Sequence, residues 1–490
     1  MATGYLDNFY ARLGVGKRAT ADDIRHAYHA AARRLHPDAS ANPDDTELFL
    51  QIQEAYEILS NPQKRQDYDK LLPDDIDPPA DVMVNAIYSR SILPTMESAQ
   101  LVYVLMDLLS RPTEEDRKKP SLNVCLLLDT STSMSGQRLE MVKSTATTMV
   151  KALQPEDYFS LITFNDRAEV IVSAERGVDL GRVEARISQL NTGGGTEMLH
   201  GLKAAMNEVA RNLGPSFVNQ ILLVTDGRTY GDDAACLEVA DFASNRGITI
   251  SGLGIGHEWN DEFLDELCRK TGGSSSYAAR PDDIRRLLEK QFQNISRTYA
   301  NNVSIAYKSS PDVELRYAFR LSPDPSALRI ATPVHFGNIP LGPSLSVLME
   351  FLIHRVPEGS REITLLDGDL NLKIPTRKIP DTTARVSLAR PAAKDAEVEP
   401  PPQVLVKAMS RLSLYRMQEK ARQEIEAGDI EKGTARLNSL AVQLLSAGRP
   451  DLAHTVRLEL KNLQNGNSVS EDSKKQIKYG TRALVLPNGE

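Results

Sequence analysis

Apolar positions change their period three times along this 490-residue chain. Between Thr20 and Asp38, the residues Ile24, Tyr28, Ala31 and Leu35 recur at helical spacing and predict an amphipathic helix. Thr20 can cap it, Asp22 and Asp23 suit its positive end, and Pro37 stops it. Leu48, Ile52, Ala55, Tyr56 and Leu59 mark a second helix beyond the polar loop PDASANPDD, so residues 1–72 read as an αα-hairpin module. From about residue 120 the pattern changes. Runs such as LNVCLLLD, YFSLITF, AEVIVSA, QILLVTDG and ITISGLGIG alternate with amphipathic helices, which predicts a doubly wound, mostly parallel α/β domain over 120–297.

Short β-leaning runs flank that domain on both sides, VMVNAIYS and AQLVYVLMDL before it, VELRYAFRL, LSVLMEFLI and EITLLDGDLNLKI after it. They predict a β-sandwich built from 81–119 and 298–394, with the α/β domain inserted. Residues 73–80 and 395–402 are Pro-rich linkers, 403–465 is a helical hairpin or small bundle, and the polar stretch 466–490 is expected to be a mobile tail. The predicted fold class is multidomain α+β.

Composition narrows the function. Lys and Arg number 58 against 66 Asp and Glu, a net charge of −8, which argues against a nucleic-acid binder. Three separated cysteines, Cys125, Cys236 and Cys268, exclude a disulfide scaffold or a Cys-rich zinc site and fit a reducing compartment. No apolar run approaches the roughly 20 residues that span a bilayer, and the first residues lack a secretory pattern, so a cytoplasmic location with no membrane span is expected.

At the turn of the hairpin stand His36, Pro37 and Asp38. Together with Phe9-Tyr10, Leu13-Gly14-Val15, Ala27-Tyr28, Phe49, Ala55-Tyr56-Glu57-Ile58-Leu59, Gln63-Lys64-Arg65 and Tyr68-Asp69, they make residues 5–72 resemble the J domain of DnaJ-type co-chaperones. The resemblance implies docking on a DnaK-type chaperone and stimulation of its ATPase. Asp38 would act on that ATPase, Pro37 would fix the loop, and His36 would brace it. Arg25, Arg33 and Arg34 would steer docking onto an acidic surface. His29-Ala30 replaces the family's usual basic pair, which implies weaker docking. The Gly/Phe-rich linker and CxxCxGxG repeats of DnaJ itself are absent from the sequence.

Three strand ends in the α/β region carry hard oxygen donors: Asp129-Thr130-Ser131-Thr132-Ser133, Gly193-Gly194-Gly195-Thr196 and Thr225-Asp226-Gly227. Ligands in such sheets bind outside the carboxyl ends of the strands. Mg²⁺ takes about six oxygens and keeps several waters, so hydroxyls and a few carboxylates suit it. In this order the three loops resemble the metal-ion-dependent adhesion site of a von Willebrand factor A (VWA) domain. The resemblance implies Ser131, Ser133 and Thr196 as hydroxyl ligands of Mg²⁺ or another divalent ion such as Mn²⁺. Asp129 and Asp226 would hold the ion directly or through water, and an unknown protein partner would supply a carboxylate. The run Gly252-x-Gly254-x-Gly256 reads as a tight strand exit rather than a dinucleotide loop, and Trp259 as either a rim anchor or a packing residue.

The combined expectation is a non-enzymatic adaptor joining a chaperone to a captured partner. An accessory subunit of a MoxR- or magnesium-chelatase-like AAA+ machine is the alternative. A metal-dependent hydrolase is a third reading.

Overall fold

The structure is a computed structural model of the chain. It describes residues 9–13, 15, 19, 21, 24–25, 27–29, 32 and 43–71, then 81–486 except 114, 178, 230, 395, 397–398 and 466–467. In the N-terminal module, α1 (Phe9–Leu13), α2 (Pro43–Leu59) and α3 (Pro62–Leu71) enclose a small core. Tyr10, Leu13, Ile24, Ile52, Ala55 and Leu59 are buried there, and the rings of Tyr28 and Tyr56 stack at 4.1 Å. The Tyr10 hydroxyl donates to Asp69 Oδ1 at 2.6 Å and accepts from Arg65 Nε at 2.8 Å, which locks α3 onto α1. Burial and the Asp69 bond push the Tyr10 phenol up to about 12.

Strands β1 (Val82–Tyr88), β2 (Leu93–Pro94) and β3 (Gln100–Ser110) precede the α/β region, yet they belong to sheets completed after it. The later strands are β10 (Thr298–Lys308), β11 (Val313–Ser322), β12 (Ser326–Ala327), β13 (Val334–Pro340), β14 (Leu345–Ile353), β15 (Glu362–Lys373) and β16 (Asp381–Ala393). One sheet runs β1-β3-β14-β11-β12 and the other β13-β10-β15-β16-β2. Their inner faces share one apolar core that includes Val104, Met106, Tyr299, Phe336, Val347 and Phe351. Where the chain leaves and re-enters this sandwich, Arg377 donates to both oxygens of Asp116 at 3.0 and 2.8 Å and to Asp81 Oδ1 at 2.6 Å. Burial pushes the Asp116 carboxyl up, but the bonds from Arg377 and Thr113 outweigh it and hold the group at about 2.

Between the two halves lies a six-stranded sheet of β4 (Ser121–Asp129), β5 (Tyr158–Phe164), β6 (Ala168–Arg176), β7 (Phe217–Thr225), β8 (Thr249–Ile255) and β9 (Ser275–Ala278). Its order is β6-β5-β4-β7-β8-β9, and only the β5–β6 pair is antiparallel. Central β4 is covered on both faces, which is why its sequence is continuously apolar rather than alternating. Helices α4 (Gln137–Lys151), α5 (Leu180–Ser188) and α9 (Pro281–Ser296) pack on one face; α6 (Met198–Ala210), α7 (Asp233–Asn245) and α8 (Asp261–Lys270) cover the other.

The C-terminal region departs from expectation. It forms α10 (Gln403–Glu426), α11 (Ile430–Ser446), α12 (Pro450–Gln464) and α13 (Glu471–Ala483). Residues 471–483, expected in a mobile tail, are instead a helix whose Lys475, Ile477, Lys478, Thr481 and Arg482 are buried. Polarity misled because the partners of Lys478 and Arg482 are acids of the distant α8, while Lys475 donates to the His257 carbonyl at 2.8 Å. Lys478 Nζ lies 2.6 Å from Asp261 Oδ2 and 2.8 Å from Asp265 Oδ2, and Arg482 holds both Asp265 oxygens.

Candidate metal centre

The first strand end is shaped by its own carboxylate. The Ser131 amide donates to Asp129 Oδ1 at 2.8 Å, while the Thr225 hydroxyl, one strand away, donates to Asp129 Oδ2 at 2.7 Å. Both oxygens of a fully buried side chain are thereby satisfied. Burial pushes the Asp129 carboxyl up, Asp226 pushes it the same way, and the Ser131 and Thr225 bonds act against them.

Ser131 and Ser133 present their hydroxyl oxygens 3.1 Å apart, and Ser133 donates to Asp226 Oδ1 at 2.7 Å. Thr196 is buried in the neighbouring loop, and a Cβ at Gly227 would stand 2.7 Å from its hydroxyl. Glycine is therefore needed after Asp226 for these two loops to close together. The loop of Thr196 is fixed from behind: the Gly195 amide donates to Asp166 Oδ1 at 2.7 Å, and the Thr132 hydroxyl donates to the Gly194 carbonyl at 3.1 Å. The fold thus gathers Asp129, Ser131, Ser133, Thr196 and Asp226 at the carboxyl ends of β4 and β7. The set is all oxygen and mixes hydroxyls with two carboxylates, which fits a hard divalent cation. Among the described residues no cluster of three or more His, Cys, Asp and Glu side chains could hold a metal, so the hydroxyls are essential to any site here.

Other readings resolve differently. His36, Pro37, Asp38, Arg33 and Arg34 lie outside the described residues, while Arg25 is exposed. Trp259 is not a rim anchor: it is buried and donates through Nε1 to the Gly256 carbonyl at 2.8 Å. Of the glycine run only Gly256, at φ 67°, stands at the strand exit. Gly252 and Gly254 lie within β8, where a Cβ at the first would strike Leu264 and one at the second would lie 2.0 Å from the Trp259 ring. Two residues of the site take no role from the sequence alone, although Thr225 stands in one of the donor loops. Thr225 sits where a strand normally ends, and Arg138 lies in the first turn of α4, nine residues past Asp129. Arg138 Nη1 stands 2.6 Å from Asp226 Oδ2. No helix among the described residues is long and apolar enough to cross a membrane.

A parallel-centred sheet carrying this constellation of oxygen donors at one end defines a doubly wound α/β domain with a candidate cation site. Comparison with known proteins gives the modules their names. Residues 8–69 match the DnaJ domain family, 123–294 the von Willebrand factor type A domain family, and 403–487 the Sll0103-like C-terminal alpha-helical domain. The chain thus carries a J domain and a VWA domain, and VWA domains commonly bind a divalent metal at this site.

An uncharacterized protein of Synechocystis, sll0103, is 26% identical over 395 residues, covering 77% of this chain and 91% of that protein. Escherichia coli YfbK is 23% identical over 272 residues, 54% of this chain and 47% of that protein. The chaperone protein DnaJ of Brevibacillus choshinensis is 49% identical over 63 residues, 13% of this chain and 17% of its own length. The match therefore spans about half of YfbK and less than a fifth of DnaJ. Among solved structures, a von Willebrand factor type A protein from Catenulispora acidiphila has a TM-score of 0.65 at 15% identity, over 82% of this chain and 96% of its own. The ArnB paralog VWA2 from Sulfolobus acidocaldarius has a TM-score of 0.56 at 16% identity, over 84% and 100%. That coverage extends the shared fold beyond the α/β domain alone.

Proposed function

We propose that this protein is a J-domain adaptor. Its N-terminal module engages a DnaK-type chaperone and stimulates ATP hydrolysis there, while its VWA domain captures a partner protein through a Mg²⁺-bridged carboxylate. The chain itself turns over no substrate. The observation that carries the reading is the joining, on one chain, of a J domain to an oxygen-donor site that opens at the end of a sheet. Ser131, Ser133 and Thr196 would hold the ion, with Asp129 and Asp226 balancing its charge. The bound ion supplies a Lewis-acidic position that accepts a carboxylate oxygen. Three buried, unpaired thiols fit the reducing cytoplasm in which such chaperones work.

The decisive experiment is steady-state ATP hydrolysis by DnaK-type chaperones with and without the protein. Stimulation is expected with the native chain and none with Asp38→Asn. Equal stimulation by the variant, or none by the native chain, refutes the co-chaperone role. For the metal half, Ser131→Ala should weaken Mg²⁺-dependent partner capture while sparing ATPase stimulation. Capture that persists in a chelator refutes the bridge.

A further inference from the structure

Arg138 is bound into the metal face from three sides. Its Nη1 stands 2.6 Å from Asp226 Oδ2 and donates to the Ser133 carbonyl at 3.3 Å. Its Nη2 lies against Gly256, where a Cβ would come within 2.9 Å of it. Gly256 has a φ of 67°, so the backbone that makes room for the guanidinium also favours glycine. The other oxygen of Asp226 accepts from Ser133 at 2.7 Å. Asp226 thus divides its two oxygens between a candidate metal ligand and a tethered cation.

We infer that Arg138 sets the charge of the metal face, and hence its preference for an acidic ligand. The inference deepens the metal-bridge reading and rests on it. Asp129 and Asp226 alone would neutralise a divalent ion completely and leave little attraction for a third carboxylate. With the guanidinium against Asp226, the protein contributes one net negative charge, and the loaded site keeps one positive charge. Like charges a few ångströms apart also repel in a partly buried setting. Arg138 therefore weakens the hold on the ion while strengthening the hold of the loaded site on a carboxylate. It acts through Asp226 as a positioning and charge-setting residue.

The test uses the full chain with Mn²⁺ as the probe ion and acetate as the smallest carboxylate. Free Mn²⁺ is followed by electron paramagnetic resonance, and acetate displacement of Mn²⁺-bound water by water-proton relaxation. Arg138→Met should bind Mn²⁺ about ten-fold tighter, and acetate on the loaded site correspondingly weaker, while Arg138→Lys stays near the native values. Damage to the fold cannot produce tighter ion binding, so the gain separates the charge role from a structural one. Mn²⁺ affinity equal to or below the native value in Arg138→Met overturns the inference. The metal reading survives that result if Ser131→Ala still abolishes Mn²⁺ binding. A native chain that binds no Mn²⁺ overturns both.

Discussion

Asp129 and Asp226 on one side, and Asp261 and Asp265 on the other, are two pairs of buried carboxylates within the same α/β domain. The second pair is surrounded by tethered cations. Lys478 bridges both acids, Arg482 takes Asp265, and Arg422 Nη1 reaches Asp261 Oδ2 at 2.8 Å. The first pair has hydroxyls and amides for neighbours and a single guanidinium. Buried charge must be compensated, and the source of compensation separates the two roles. Where the chain supplies every counter-charge, the acids join domains. Where it supplies too little, as at Asp129 and Asp226, the remaining charge is what the proposed ion would balance.

The largest effect should come from breaking the closed pair. Arg482→Met leaves Asp265 short of its main partner, and loss of one member of a buried ion pair typically costs about 3–5 kcal/mol. Denaturant unfolding should show that loss, with faster amide exchange first in α13. The pair also has an acid limit. Burial pushes Asp261 up, but Lys478 and Arg422 outweigh it and bring it down to about 2, from 3.8. A depressed carboxyl stabilises the fold above its unfolded value, so this contribution should fade as pH falls from 3.8 through about 2. Exchange in α8 that stays constant across that window would contradict the assignment.

The open pair should respond to ions instead. Mg²⁺ at a hundred times its dissociation constant should add about 2.7 kcal/mol of stability, and a chelator should remove it. Arg482→Met should keep the same increment, because the two pairs share no partner. Thr225→Val, which deprives buried Asp129 of a hydroxyl donor, should cost about 2 kcal/mol. Mg²⁺ should recover part of that loss. The smallest change is expected at the exposed contact where Arg228 Nη2 and Glu471 Oε2 stand 3.7 Å apart. Arg228→Ala should shift stability by less than about 1 kcal/mol, because exposed ion pairs are screened.

The same contrast explains what could be read from the chain. Two of the donor loops were legible because each follows an apolar strand run, LNVCLLLD placing Asp129 and QILLVTDG placing Asp226 at a strand end, and the third, Gly193-Gly194-Gly195-Thr196, by its glycines just before a helix. The split sandwich was legible from β-leaning runs on both sides of the α/β pattern. Arg138 was not, because one basic residue in the first turn of an amphipathic helix looks like solvent-facing charge. Helix α13 was missed for a related reason. Its Lys475, Lys478 and Arg482 look like solvated charges until α8 is placed beside them, and nothing local names that partner. Trp259 reads as either an anchor or a packing residue until its ring is found over Gly254.

The separation between α8 and α13 has a consequence during synthesis. Asp265 and Arg482 lie 217 residues apart, as do Asp261 and Lys478. At about 5–20 residues per second, a ribosome needs roughly 10–40 s to make that interval. The six-stranded sheet can form on the nascent chain during this time, while its two acids in α8 wait for their counter-ions. A chain stopped before Glu471 should keep the sheet yet leave Asp265 without its cations and Asp261 with Arg422 alone, visible as raised protease sensitivity at α8. Helix α13 thereby distinguishes a chain that carries it from one stopped short of it.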